Sequence, residues 1–174
     1  WDRARAEAET MSFMGFPGRL ATITSAAENA FIASLVPVGG NTMLGGSAAQ
    51  TEGTWLWETG PEAGTIFWKD GAPFGSAYVN WRPGEPNNVQ PFEDYLVMSN
   101  GQWNDSAANS FLHSGYVVEY RLTASGFDFG MTRPVRSATS RRRIAWCAWT
   151  SRCLATASST RPRPCLAASS PVGA

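Results

Sequence analysis

The first 146 residues contain no cysteine; all three (Cys147, Cys153 and Cys165) fall near the end of the chain. The larger part is therefore without a disulfide framework, and the odd count in the rest closes none. Intervals of five and eleven residues between the cysteines do not resemble a zinc site. Histidine is almost absent as well. The single His113 reads as a surface or partly buried residue, and no Ser–His–Asp set or glycine-rich phosphate loop accompanies it. No run reaches the ~18 apolar residues that span a bilayer, and no signal-peptide core is present. The chain starts at Trp1 rather than Met, which reads as a fragment or processed product. Charged residues make up only 16%.

What is present points to a globular protein. The chain has 174 residues, 43% hydrophobic, with eight tryptophans, enough for one domain with a substantial core. The formal net charge is zero, but residues 1–121 hold six Lys/Arg against thirteen Asp/Glu, and residues 122–174 hold eight Arg against Asp128 alone. Two segments follow: a domain over 1–121 and a basic, low-complexity tail over 122–174 that is expected to be disordered. Arg141–Arg143 could touch a polyanion, but the tail lacks periodicity. Nucleic acid is not an expected partner.

Along the first segment, Trp1, Ala4, Ala8 and Met11 mark one face of a helix, which Gly15, Pro17 and Gly18 end. "LATI" (Leu20–Ile23) predicts a short buried strand. Ser25 and Glu28 form a capping box for a second helix with Phe31, Ile32 and Leu35 on its apolar face. "TMLGGS" (Thr42–Ser47), "TWLWET" (Thr54–Thr59), "DYLVMS" (Asp94–Ser99), "GQW" (Gly101–Trp103) and "GYVVEY" (Gly115–Tyr120) predict strands, with "SNG" (Ser99–Gly101) as a tight turn. Between Gly60 and Pro91 the composition is that of a long structured loop, anchored by Phe67, Trp68, Phe74, Tyr78 and Trp81. Two helices followed by strands around a long loop give an α+β class.

The stretch "WRPGEPNNVQPFEDYLVMSNGQWNDS" (Trp81–Ser106) gathers Glu85, Glu93, Asp94 and Asp105 with Asn87, Asn88, Asn100 and Asn104. Carboxylate and amide oxygens without Cys or His suit a hard cation such as calcium, which takes about six to eight oxygen ligands, better than zinc. The alternating acids and central glycine of an EF-hand are absent. A solvated acidic loop would have the same composition.

The pattern narrows the choice. Glu85-Pro86-Asn87, then Glu93, then Trp103-Asn104-Asp105 resembles the calcium-dependent carbohydrate-recognition domain of C-type lectins. The "W..A...A" start, "GRLATITSAAEN" (Gly18–Asn29), "MLGG", "WLWETG" and "GYVVEY" follow in that family's order across most of Trp1–Arg121. The resemblance implies a C-type lectin-like fold of two helices and small antiparallel sheets with a long calcium-binding loop. It implies Ca²⁺ and sugar bound together by Glu85, Asn87, Glu93, Asn104 and Asp105, and a cis bond before Pro86. It also implies mannose-type sugars, since Glu-Pro-Asn goes with mannose in this family and Gln-Pro-Asp with galactose. No catalysis is implied, and secretion to the cell exterior or surface is.

Departures from the family carry expectations of their own. Tyr95 and Val118 stand where cysteines are usual, as in disulfide-free, bacterial-type members. An auxiliary metal site would correspond to Ala48, Glu52, Asn88 and Asp94 and is expected to be weak or empty. The family's N-terminal strand has no counterpart before Trp1, so the "GYVVEY" edge is expected to lie open. Trp55, Trp57, Trp81 and Trp103 read as core, and Tyr78 and Phe92 as candidate sugar platforms. The alternative function is a protein-interaction module of the same fold. A glycosidase using Glu85 and Glu93 is disfavoured, because acids flanked by Asn and Pro look like metal ligands rather than an acid–base pair in a cleft.

Overall fold

The computed structural model describes residues 1–89, 92–122, 141–148 and 168–169, with side chains described up to Arg121. Helix α1 (Asp2–Thr10) buries Ala4 and Ala8 and carries exposed Arg3–Glu7 and Arg5–Glu9 pairs one turn apart. Such exposed pairs add only tenths of a kcal/mol, so the alanine face is what docks the helix. Strands β1 (Ser12–Phe13) and β2 (Phe16–Leu20) then form a hairpin. Its turn residues Met14 and Gly15 both have positive φ, 51° and 83°, the turn twist that suits tight hairpins.

Here the sequence reading was displaced. The strand expected at Leu20–Ile23 lies at Phe16–Leu20, through Pro17 and Gly18. Ala21, Thr22 and Ile23 are buried but outside the strand, with the Ala21 N–H donating to the Val117 carbonyl at 2.9 Å. Gly18 explains the choice: a Cβ there would stand 2.6 Å from the Ala8 carbonyl oxygen and 2.8 Å from Val118 Cγ1. Only glycine lets β2 pass so close beneath α1.

Helix α2 (Ala26–Leu35) starts at Ser25, whose side chain accepts from the Glu28 N–H. The reciprocal half of the expected capping box reaches one residue further back, to the Thr24 N–H at 2.7 Å. Strands β3 (Asn41–Ser47), β4 (Thr54–Trp57), β7 (Tyr95–Ser99), β8 (Gln102–Ser106) and β9 (His113–Leu122) match the remaining predictions. A further hairpin, β5 (Ile66–Lys69) with β6 (Ala72–Pro73), lies inside the stretch read as loop.

The strand order is β1-β2-β9-β3-β4-β5-β6, with β7 pairing β3 and β8 pairing β7. The β3–β9 pairing is parallel, and the other pairings between these strands are antiparallel. The edge of β9 is not open. Strand β10 (Arg141–Ala148) runs antiparallel along it, from Arg141 opposite Leu122 to Ala148 opposite Gly115. A two-residue β11 (Ala168–Ser169) pairs in turn with β10.

Both faces of the central strands are covered. Leu96 and Met98 enter a cluster with Ile23, Ile32, Trp55, Trp57, Phe67 and Trp103. Val97 points the other way, into a cluster with Trp1, Ala4, Ala8, Leu20, Met43 and Val118. That two-sided burial is why "YLVM" is continuously apolar rather than alternating. Tyr95 stacks on Trp1 with centroids 5.1 Å apart, and Val118 is fully buried, so packed side chains fill both positions where cysteines are usual.

Candidate functional site

The site lies where the long loop is fastened to β8. Trp103 donates its backbone N–H to the Asn80 carbonyl at 2.8 Å and accepts from the Arg82 N–H at 2.9 Å, a parallel bridge between Trp81 and Trp103. The Trp103 indole is fully buried, edge-on to Trp57, Trp81 and Phe67. Its N–H donates to Asn29 Oδ1 at 2.8 Å, while Asn29 and Asn80 amides both donate to the Gly101 carbonyl. Helix, turn and loop are thus tied to the strand position directly before Asn104 and Asp105. Trp103 is core, as expected. Tyr78 is half-buried edge-on against it at 5.8 Å, so its ring is engaged by the core.

From that anchor the chain turns, with the Glu85 N–H donating to the Arg82 carbonyl. The Glu85–Pro86 bond is cis, as the resemblance implied. Asp105, fully buried on β8, accepts from the backbone N–H groups of Asn87 (3.0 Å) and Asn88 (2.7 Å) through Oδ2. Asn87 turns its own Oδ1 to the Val89 N–H at 3.0 Å. Asn104, beside Asp105, donates its amide to the Asp105 carbonyl. Glu93 donates its backbone N–H to Asn88 Oδ1 at 3.3 Å, and it lines one depression together with Asn104 and Asp105.

Five residues from three parts of the chain therefore meet. The acids do so under strain of charge. Glu85 Oε2 and Asp105 Oδ1 are both buried and have no hydrogen-bond partner. Two carboxylates can only accept, so neither satisfies the other unless a proton lies between them. Burial, that contact with Asp105, and the charges of Asp105 and Glu93 push the Glu85 carboxyl up to about 7, against a pull downward from Arg82. Paired carboxylates out of water need a proton or a cation. The oxygens present, with two amides beside them and no nitrogen or sulfur ligand, suit a hard cation. Among the described residues no three Asp, Glu, His or Cys side chains gather into a metal set; Asn87 and Asn104 would have to complete one.

Residues of the auxiliary set are engaged with one another. Asn88 donates its amide to Glu52 Oε2 at 2.8 Å, and Glu52 Oε1 accepts from the Gly53 N–H. Asp94 is half-buried and accepts the Ala48 N–H through its backbone. His113 is half-buried, with Nε2 3.0 Å from Ser106 Oγ. Burial and the positive charge of the N-terminal amine push it down to about 4. Sequence reasoning missed Arg82 as a charge acting on Glu85, and it missed the loop 107–112 as part of the depression. An Arg in a turn and a Ser/Ala/Asn loop carry no signal without the fold.

A profile of the lectin C-type domain matches residues 8–114. The chain belongs to the C-type lectin domain family. Its two helices, mixed sheet and long loop agree with a crystal structure of the cow CD23 carbohydrate-recognition domain in the presence of a GlcNAc2Man3 oligosaccharide. That match has a TM-score of 0.53 at 30% identity and covers 71% of this chain and 81% of the other. Among curated relatives, halomucin of Haloquadratum walsbyi is 42% identical over 123 residues, 69% of this chain. The mannose-binding protein of Gallus gallus is 32% identical over 96 residues, and the low affinity immunoglobulin epsilon Fc receptor of Mus musculus 40% over 80. The matched regions are 1%, 33% and 22% of those three proteins, respectively. Halomucin is archaeal, where the missing disulfides had suggested a bacterial form. Among the described residues no helix is long and apolar enough to cross a membrane.

Proposed function

We propose that this C-type lectin domain is a calcium-dependent, non-catalytic carbohydrate-binding module of mannose-type specificity, acting outside the cell or at its surface. The observation that carries the reading is the pair of buried, unpartnered oxygens on Glu85 and Asp105, adjacent to Asn87, Glu93 and Asn104. Glu85, Asn87, Glu93, Asn104 and Asp105 would hold a Ca²⁺, which would supply a hard cation able to bind two neighbouring sugar hydroxyls. The chain's own side chains then complete the recognition. Glu85 and Glu93 accept a hydroxyl proton, and Asn87 and Asn104 donate through their amides. The Val89 N–H donates to Asn87 Oδ1, which fixes how that amide lies. An order of acid then amide, as in Glu85 and Asn87, fixes which hydroxyl donates and which accepts, and so selects the diol. The hydrogen bonds joining Asn88 and Glu52 leave the auxiliary set (Glu52, Asn88, Asp94) weak or unused for a metal.

Equilibrium dialysis against radioactive calcium tests the site. Wild type should bind one ion, and Asp105→Asn, which keeps an oxygen to accept the two backbone N–H groups, should bind at least about tenfold more weakly. Equal binding by the two would remove Asp105 from the site. A second reading, protein recognition by the same loop face, has one observation in its favour: a 40%-identical relative is by name an immunoglobulin receptor. It predicts ligand capture that free mannose does not compete.

A further inference from the structure

A second cleft opens between the chain entering α2, the turn after β4 and the loop after β6. Its volume is about 240 Å³, roughly the space of eight water molecules. None of the five candidate calcium ligands lines it. Trp57 and Phe67, stacked with ring centroids 4.4 Å apart, form its inner wall, and Tyr78 stands beside them. Thr65 and Ser76, both exposed, place hydroxyls at its mouth. Among the described residues that line it, Glu62 alone carries a charge. Burial pushes the Tyr78 phenol up, so it stays neutral and adds no second one.

The surroundings of Glu62 leave that charge in excess. Its Oε2 accepts from Thr22 Oγ1 at 3.0 Å. A Cβ at Gly60 would stand 2.9 Å from Glu62 Oε2, 3.1 Å from Arg19 Nε and 3.4 Å from Glu119 Oε1, so the three side chains meet around that glycine. Arg19 donates to Glu119 at 2.9 Å. The trio therefore holds two carboxylates and one guanidinium, and Glu62 is its member on the cleft.

We infer that this cleft binds a small organic ammonium ion, its charge at Glu62 and its apolar body against Trp57, Phe67 and Tyr78. The site is separate from calcium and sugar binding and does not depend on either. Aromatic rings attract a cation, and the Glu62 carboxylate and the Thr65, Ser76 and Tyr78 hydroxyls can each accept from an N–H. A primary ammonium, with three donors, meets that set best. An anion would face Glu62 with no Lys, Arg or His among the described lining residues to offset it. A neutral apolar molecule would cover a carboxylate without compensating its charge, which costs free energy.

The test titrates benzylammonium, benzyl alcohol and benzoate, which share one ring and differ in charge, into the full chain. Binding is followed by NMR at the tryptophan indole N–H signals, once in calcium and once in chelator. Benzylammonium should bind with a Kd of about 1 mM, at least about tenfold more tightly than the other two and equally in both buffers. Glu62→Gln keeps an oxygen for Thr22 and should bring benzylammonium down to the level of the alcohol while leaving the alcohol unchanged. Ser76→Trp, at an exposed position on the mouth, should block benzylammonium without touching Glu62, so the test does not hang on one variant. The inference is overturned if benzylammonium gives no saturable shift, if the three compounds bind alike, or if benzoate is preferred. It is overturned also if Glu62→Gln keeps the ammonium preference, or if Ser76→Trp binds benzylammonium as wild type does.

Discussion

Glu85 holds a proton up to about pH 7 in the ion-free protein, because burial and the neighbouring Asp105 carboxylate disfavour its charge. Calcium needs the carboxylate, so binding must expel that proton. Between the ordinary Glu value of 4.5 and about 7, the ion-free fold binds more protons than the unfolded chain. Its stability therefore falls as pH rises through that window, and calcium binding reverses the trend. At pH 5 only about 1% of Glu85 is ionised, so calcium affinity should drop about tenfold per unit below 7 and about a hundredfold by pH 5. Calorimetry in two buffers of different ionisation heat should show about one proton released per calcium at pH 6 and nearly none at pH 8.5. Glu85→Gln should abolish the release. Calcium affinity that stays constant from pH 8 to pH 5 would refute the argument.

Exchanging the acid and amide by Glu85→Gln with Asn87→Asp should move preference from mannose toward galactose, read by competition with the two monosaccharides; unchanged selectivity would remove both residues from specificity. Asp105→Ala should abolish calcium-dependent sugar binding and cost about 1–3 kcal/mol in urea unfolding without calcium, since two backbone N–H groups lose their acceptor. An unaltered unfolding midpoint would contradict that role. Gly18→Ala should cost about 1–3 kcal/mol by overpacking β2 against α1, with calcium affinity in the folded fraction unchanged. Stability equal to wild type would show that the close approach relaxes freely.

Elements with a clean local pattern were legible in the sequence. The alanine face of α1, the Ser25 cap and the apolar run of β7 each declare their partner by spacing or composition. What escaped depended on contacts made far along the chain. Strand β2 runs through Pro17 and Gly18, which locally argue against a strand, because Val118 and Ala8 lie close against it. The β5–β6 hairpin hid among the glycines of the long loop. The partner of the β9 edge was unreadable, since Arg141–Ala148 offers no strand alternation that its basic surroundings do not obscure. At the candidate site, residue identities were legible from Glu-Pro-Asn and Trp-Asn-Asp, and β8 continues three residues beyond the predicted "GQW" to include Asn104 and Asp105. The unpartnered state of Glu85 and Asp105 was not, because it follows from burial that only the folded loop creates. The same is true of the depression beside Glu93, which draws Phe92 and Phe111 from segments that no motif links.

Retention on immobilised mannose, first in calcium and then in excess chelator, tests the central claim most directly. The account predicts retention in calcium, prompt elution by chelator or free mannose, and no elution by the same concentration of galactose. A folded sample that passes through the column in calcium, or that stays bound in chelator, would contradict it.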